Sequence, residues 1–359
     1  FIYLRTYEAC ICGIKLHVDS VAFQEQDSVV AACASSAIWS TFQVTGRNFQ
    51  HKIETPVEIT KSAIKYFPYT NRHFPNYGLT SEQMAHAIRN VGLEPFLVDA
   101  SSESIVTHVY AFHKAKIPLV LGVKLINKDN SVLGFHAVSV MGYSIDKNRK
   151  PFFGSDFYLY SSHINKLYVH DDQVGPFAKM ELIYTDKVLT TDWIDENGNA
   201  GNIIGLPTQM ILPLYPKIRI PLTTILRIAN KLDELINKIN SNVHFLNSPI
   251  EWDVFLSQSN EFKQEILNNS SLSEEYKLIL LQTNMPKFIW RVNAIYGEEK
   301  TEFIFDTTDI EQGEIFLNIV PYSFNLTQIF KLISLQINLE EIRLKSLIKI
   351  IKYLQKSLE

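Results

Sequence analysis

Gln24-Glu25-Gln26-Asp27-Ser28-Val29-Val30-Ala31-Ala32-Cys33-Ala34-Ser35-Ser36-Ala37-Ile38-Trp39 is the stretch on which the reading of this chain turns. A cysteine opens a run of small residues, and Ile38, Trp39 and Phe42 form an apolar face beyond it, so a helix is expected over Ala32 to Val44. A thiol in the first turn of a helix sits among free backbone N–H groups at the positive end of the helix dipole, which favours its thiolate. Small neighbours leave room for a substrate. An upstream glutamine can offer a side-chain N–H to an oxyanion, beside the N–H of the cysteine itself. Taken alone, the same segment also fits a buried thiol in an alanine-rich helix.

Two later segments supply what such a thiol would need. In Gly134-Phe135-His136-Ala137-Val138-Ser139-Val140-Met141-Gly142-Tyr143, His136 opens an apolar strand just after a polar hairpin. That position puts an imidazole at the rim of a sheet, within reach of a neighbouring thiol. In Leu167-Tyr168-Val169-His170-Asp171-Asp172-Gln173-Val174-Gly175-Pro176, a strand runs into two carboxylates and a Gly-Pro turn. An acid there can accept the histidine's N–H and fix its tautomer. Alternation puts Asp171 with Leu167 and Val169 on one face, and Asp172 with Tyr168 and His170 on the other. Only one of the two acids is therefore expected to meet the histidine, and Asp171 continues the buried face. His136, His170, Asp171 and Asp172 also offer metal ligands, but the same alternation keeps His170 and Asp171 apart. No metal and no cofactor is expected.

The surrounding punctuation predicts an α+β fold. Thr80 to Val91 carries a capping-box pattern, Thr80 with Gln83, and Gly92 can end the helix. Strands are expected at Glu94 to Val98, Pro118 to Ile126, Phe135 to Tyr143, Lys166 to His170 and Ala178 to Tyr184, with a helix over Ser102 to Lys116. Asp195-Glu196-Asn197-Gly198-Asn199 reads as a surface turn. Beyond Pro221 helical spacing dominates: Leu222 to Asn240, Glu274 to Gln282 and a long amphipathic run from Leu326 to Leu358. Ile289 to Tyr296 and Thr301 to Phe305 flank Gly297-Glu298-Glu299 as a hairpin. The expected division is a catalytic domain over 15–190 and a mainly helical accessory domain with a small hairpin over 191–359.

Composition narrows the class of partner. The 359 residues are 46% hydrophobic and 20% charged with a formal net charge of -4, values of an ordinary globular protein without a basic surface for nucleic acid. No apolar run is long enough for a membrane helix, and the first residues lack the pattern of a secretory leader. Three cysteines are too few for a disulfide framework, and Cys10 and Cys12 are too close in sequence to bond readily to one another. These features predict a cytoplasmic protein with buried or edge thiols, without nucleic acid or membrane. The C-terminal helical domain is a candidate dock for a protein partner.

Glutamine, then a cysteine opening a helix, then a histidine opening a strand, then an aspartate at the next strand's end resembles the papain-like cysteine peptidase superfamily. Within it the chain is most similar to the C39-type peptidases, which use a Cys–His–Asp set, and Ile117-Pro118-Leu119-Val120-Leu121-Gly122-Val123 before the Gly-Phe-His strand adds to the likeness. The resemblance spans Gln24 to Tyr184. It implies helices packed on an antiparallel sheet, with Cys33 as nucleophile, His136 as base, Asp171 as orienting acid and Gln26 at the oxyanion. The position of the family's glutamine is Asp27 here, so Gln26 and Gln24 both stand as oxyanion candidates. Ala34 replaces the family's glycine, and Asp171-Asp172 stands where Asp-Pro is common. The implied activity is a thiol hydrolase cleaving an amide or isopeptide bond, with a protein or peptide as substrate. A transglutaminase-like acyl transfer by the same triad, or an inactive peptidase fold kept for binding, are the alternatives.

Overall fold

The computed structural model describes residues 4–25, 33–65, 78–148, 157–183, 188–190, 193, 198–199, 201–309 and 314–356. The chain forms two compact units, one of residues 1–152 and 163–216 and the other of residues 153–162 and 217–359. Both mix helix with largely antiparallel sheet, as the α+β expectation required.

The first unit opens with a hairpin that sequence reading did not anticipate, β1 (Arg5–Ile11) and β2 (Ile14–Ser20). Cys10 and Cys12 lie on it as exposed free thiols, the edge rather than the buried form of the expectation. Helix α1 (Cys33–Phe49) follows, with Cys33 the first residue described in it, and runs beyond the expected end at Val44. Helix α2 (Pro56–Ile64) starts at a reciprocal cap between Thr55 and Glu58, with proline where the missing N–H costs nothing. Helix α3 (Ser81–Asn90) has the Thr80–Gln83 capping box, and Gly92 beyond it takes φ +83°, which favours glycine. Strand β3 (Glu94–Asp99) and helix α4 (Ser102–Lys114) lead into the hairpin of β4 (Leu119–Asn127) and β5 (Val132–Ile145). The two-residue strand β6 (Tyr158–Leu159) belongs to the second unit.

Strands β7 (Ile164–Asp171), β8 (Gly175–Ile183), β9 (Val188–Thr190) and β10 (Ile203–Leu214) complete a seven-stranded sheet. Its order is β3-β10-β4-β5-β7-β8-β9, antiparallel throughout, and β9 returns to pair with β10 through Leu189 and Gly205, so the sheet curls back on itself. Helix α1 lays Ala34, Ala37, Ile38 and Phe42 into a cluster with Val120 and Ala137 of the sheet, Ile59 of α2 and Ile88 of α3. Burying such a face accounts for the position of the helix: each large apolar side chain removed from water contributes about 1.5–3 kcal/mol. Strand β10 joins this sheet, so the first unit extends past the expected boundary at 190.

The second unit carries a five-stranded sheet, β14-β13-β12-β11-β6, where the sequence suggested only a hairpin. Helix α5 (Leu222–Val243) precedes β11 (Glu251–Gln258), and α6 (Ser259–Asn268) and α7 (Glu274–Gln282) precede the hairpin of β12 (Phe288–Tyr296) and β13 (Glu299–Asp306). Strand β14 (Phe316–Val320), α8 (Phe324–Ser334) and α9 (Lys345–Lys356) end the chain. The long helix expected over Leu326 to Leu358 is thus two helices. Asn338 accepts the N–H of Glu340 and caps a single 3-10 turn between them. Inside the unit, the buried guanidinium of Arg291 pairs with Glu302 and Glu265 and lies over the rings of Phe255 and Phe262. Among the described residues no helix is long and apolar enough to cross a membrane.

Candidate active site

Cys33, His136 and Asp171 come from three separate elements of the first unit. Cys33 lies in α1, His136 in β5 and Asp171 ends β7. Ser139, fully buried on β5, fixes the first two against each other: its hydroxyl donates to the carbonyl of Ala37 and lies 3.1 Å from the Thr41 hydroxyl. One polar side chain thus bonds helix α1 to the strand of His136, and sequence reading gave it no role.

His136 is buried rather than at an open rim, because β5 is flanked by β4 and β7. Its Nε2 donates to Asp171 Oδ1 at 3.0 Å, and the ring is also hydrogen-bonded to the Cys33 side chain. With Nε2 engaged by the acid, Nδ1 is the nitrogen left for sulfur. Burial opposes charge on this ring, but the hydrogen bonds to Asp171 and Cys33, with the negative charges behind them, outweigh it and raise its pKa to about 10. A histidine held protonated beside a thiol favours the thiolate.

Asp171 is fully buried and accepts three hydrogen bonds. Oδ1 takes His136 Nε2 and the main-chain N–H of Gln173, each at 3.0 Å, and Oδ2 takes the indole N–H of Trp193 at 2.6 Å. Burial alone would push the carboxyl up, yet these donors and the charge of His136 hold it below its ordinary value. The Trp193 ring also stands edge-on to His136, with centroids 6.0 Å apart. Trp193 had not been singled out. The available signal was a lone indole in a polar segment beyond the last strand of the motif.

The alternation argument for the two acids holds only in part. A register shift between Val169 and Asp171 in the β7–β8 ladder ends regular pairing, and the chain turns back through Gly175, at φ +134°. Asp172 therefore also approaches the histidine, with Oδ1 3.6 Å from His136 Nε2. It is buried, and apart from this contact neither of its carboxylate oxygens has a hydrogen-bond partner in another residue. Burial lifts its carboxyl to about 6, opposed by the charge of His136 and reinforced by that of Asp171.

His170 lies apart from this set, as alternation required. Its ring sits between the edges of Phe23 and Phe177 with neither nitrogen hydrogen-bonded, and burial lowers its pKa to about 4. Gln24 is exposed and, with Cys33, Ser36, His170 and Asp172, lines a shallow indentation. The other oxyanion candidate, Gln26, lies outside the described residues. No protein-family model matches the chain, and no curated protein matches it significantly.

Proposed function

We propose that the chain is a thiol hydrolase of the papain-like kind, cleaving an amide or isopeptide bond in a protein or peptide. The observation that carries this reading is the buried His136 ring, hydrogen-bonded on one side to Asp171 and on the other to Cys33 of helix α1.

In the proposed cycle His136 takes the thiol proton of Cys33, and the resulting thiolate attacks the carbonyl carbon. The main-chain N–H of Cys33 and a glutamine amide, from Gln26 or Gln24, hold the resulting oxyanion. The C–N bond breaks, His136 gives its proton to the leaving amine, and an acyl-thioester remains on sulfur. His136 then takes a proton from water, which attacks the thioester and releases the carboxylic acid with return of the thiol proton to the pair. Asp171 keeps the ring oriented and stabilises its charged form throughout. An amine in place of water would make the same site a transferase.

The test is to trap the intermediate. Wild-type protein is incubated with pools of folded and unfolded proteins, quenched in acid, and searched by mass spectrometry for an acyl group on Cys33. A hydroxylamine-labile adduct with new substrate termini is expected, absent from Cys33→Ala and His136→Ala. No adduct and no new termini from any pool would overturn the reading, and new amide bonds without hydrolysis would make the activity acyl transfer.

A further inference from the structure

Asp172 is the group in this site that the proposed reaction does not use. A buried carboxylate costs free energy unless something neutralises it or bonds it. Among the described residues, the cation acting on it is His136, whose Nε2–H already points at Asp171. Three acidic groups, the Cys33 thiol, Asp171 and Asp172, thus share one imidazolium.

The three donors lie close enough to gather on one ion with small shifts of their side chains. His136 Nε2 is 3.0 Å from Asp171 Oδ1 and 3.6 Å from Asp172 Oδ1, and the ligand atoms of the three residues all fall within 4.8 Å of one another. A tetrahedral zinc ion with nitrogen and oxygen ligands sets neighbouring donors ~3.3–3.6 Å apart. Imidazole nitrogen and carboxylate oxygen are both ligands of such an ion, and Cys33 and Asp172 line one shallow surface indentation.

We propose that His136, Asp171 and Asp172 form an inhibitory site for a divalent transition-metal ion of the zinc type. The ion replaces the Nε2 proton of His136, which leaves to solvent, and Asp172 supplies the ligand that the hydrogen-bonded triad leaves idle. Metal on Nε2 confines the remaining ring proton to Nδ1, facing Cys33, so the ring cannot take up the thiol proton. Inhibition rests on the hydrolase reading, whereas binding of the ion does not.

The experiment separates the two. The exposed thiols bind zinc themselves, so the full chain is first made with Cys10→Ser, Cys12→Ser and Cys33→Ala. It is titrated with Zn2+ in a metal buffer by calorimetry, in two pH buffers of different ionisation enthalpy, and by tryptophan fluorescence, since Trp193 contacts both Asp171 and His136. One equivalent should bind with release of a proton and a change in emission. Adding Asp172→Asn should weaken binding at least ~10-fold, since even an outer-shell partner is worth that much to a metal site. Absence of saturable binding, or equal binding by the Asp172→Asn protein, would overturn the proposal. Binding here together with a wild-type protein that turns over no substrate would instead remove the hydrolase reading and leave the metal site standing.

Discussion

Trp193 donates its indole N–H to the Asp171 oxygen that His136 does not use, at 2.6 Å, while His136 takes the other oxygen at 3.0 Å. The acid is therefore clamped from both sides, and the orientation of the histidine is set two bonds away from the thiol. A carboxylate held this way stays ionised inside the protein and keeps its lone pairs aimed at the ring.

Trp193→Phe keeps most of the ring and removes this donor. Hydrogen bonds to charged groups contribute about 1.5–3 kcal/mol, so turnover is expected to fall ~10- to 100-fold. KM should change less than kcat, because Trp193 acts through Asp171 rather than on the substrate. Steady-state kinetics on any substrate found by the trapping experiment reads this directly, and an unchanged kcat would mean that the clamp is purely structural.

Asp171→Asn and Asp172→Asn should separate sharply despite being neighbours. The first removes the charge that stabilises the His136 imidazolium, and loss of a triad orienter costs up to ~10⁴ in turnover. The second removes an acid that makes no hydrogen bond to the ring and only a 3.6 Å charge contact with it, so turnover in metal-free buffer should fall far less than for Asp171→Asn. Equal losses in the two variants would show that both acids serve the ring.

The pH dependence of stability has the same sign at the two groups, since each holds its proton to higher pH in the folded state, but the two variants shift stability in opposite directions. The pKa of His136 is raised to about 10, so its contribution is complete below about 6.5 and is lost as pH rises through about 10. The destabilisation caused by His136→Ala should accordingly shrink between those limits. Asp172 is raised to about 6, so the folded state binds a proton that the unfolded state releases, and ionising it costs stability above that pH. Asp172→Asn should raise the thermal midpoint at pH 7 to 8, with the gain gone by about pH 4. Parallel melting curves for wild type and both variants test the two directions together.

The legible parts of this molecule were those written locally. The Thr80–Gln83 box starts α3 where the residues said it would, and β4 and β5 form the hairpin that Leu119 to Tyr143 suggested. The spacing of Cys33, His136 and Asp171 named the three side chains that the fold brings together. Features set by chain path were not legible. Strict alternation separated Asp171 from Asp172, but a bulge and a tight turn let both approach one ring nitrogen. Ile333, Leu335, Ile337 and Leu339 alternate in pairs inside an otherwise helical run, and α8 ends there. Trp193 belongs to the site only through a long-range contact, which no pattern in its own neighbourhood encodes.

The central claim is that His136 activates Cys33, and the order of thiol alkylation tests it most directly. Cys10 and Cys12 are exposed whereas Cys33 is half-buried, so access alone would make Cys33 the slowest of the three. Iodoacetamide is added to the folded protein at pH 6, and the rate at each cysteine is followed by peptide mapping. The account expects Cys33 to react first in the wild type, and to fall behind Cys10 and Cys12 in His136→Ala as a thiol without its base. Cys33 reacting last in the wild type, or at an unchanged rate in His136→Ala, would contradict it.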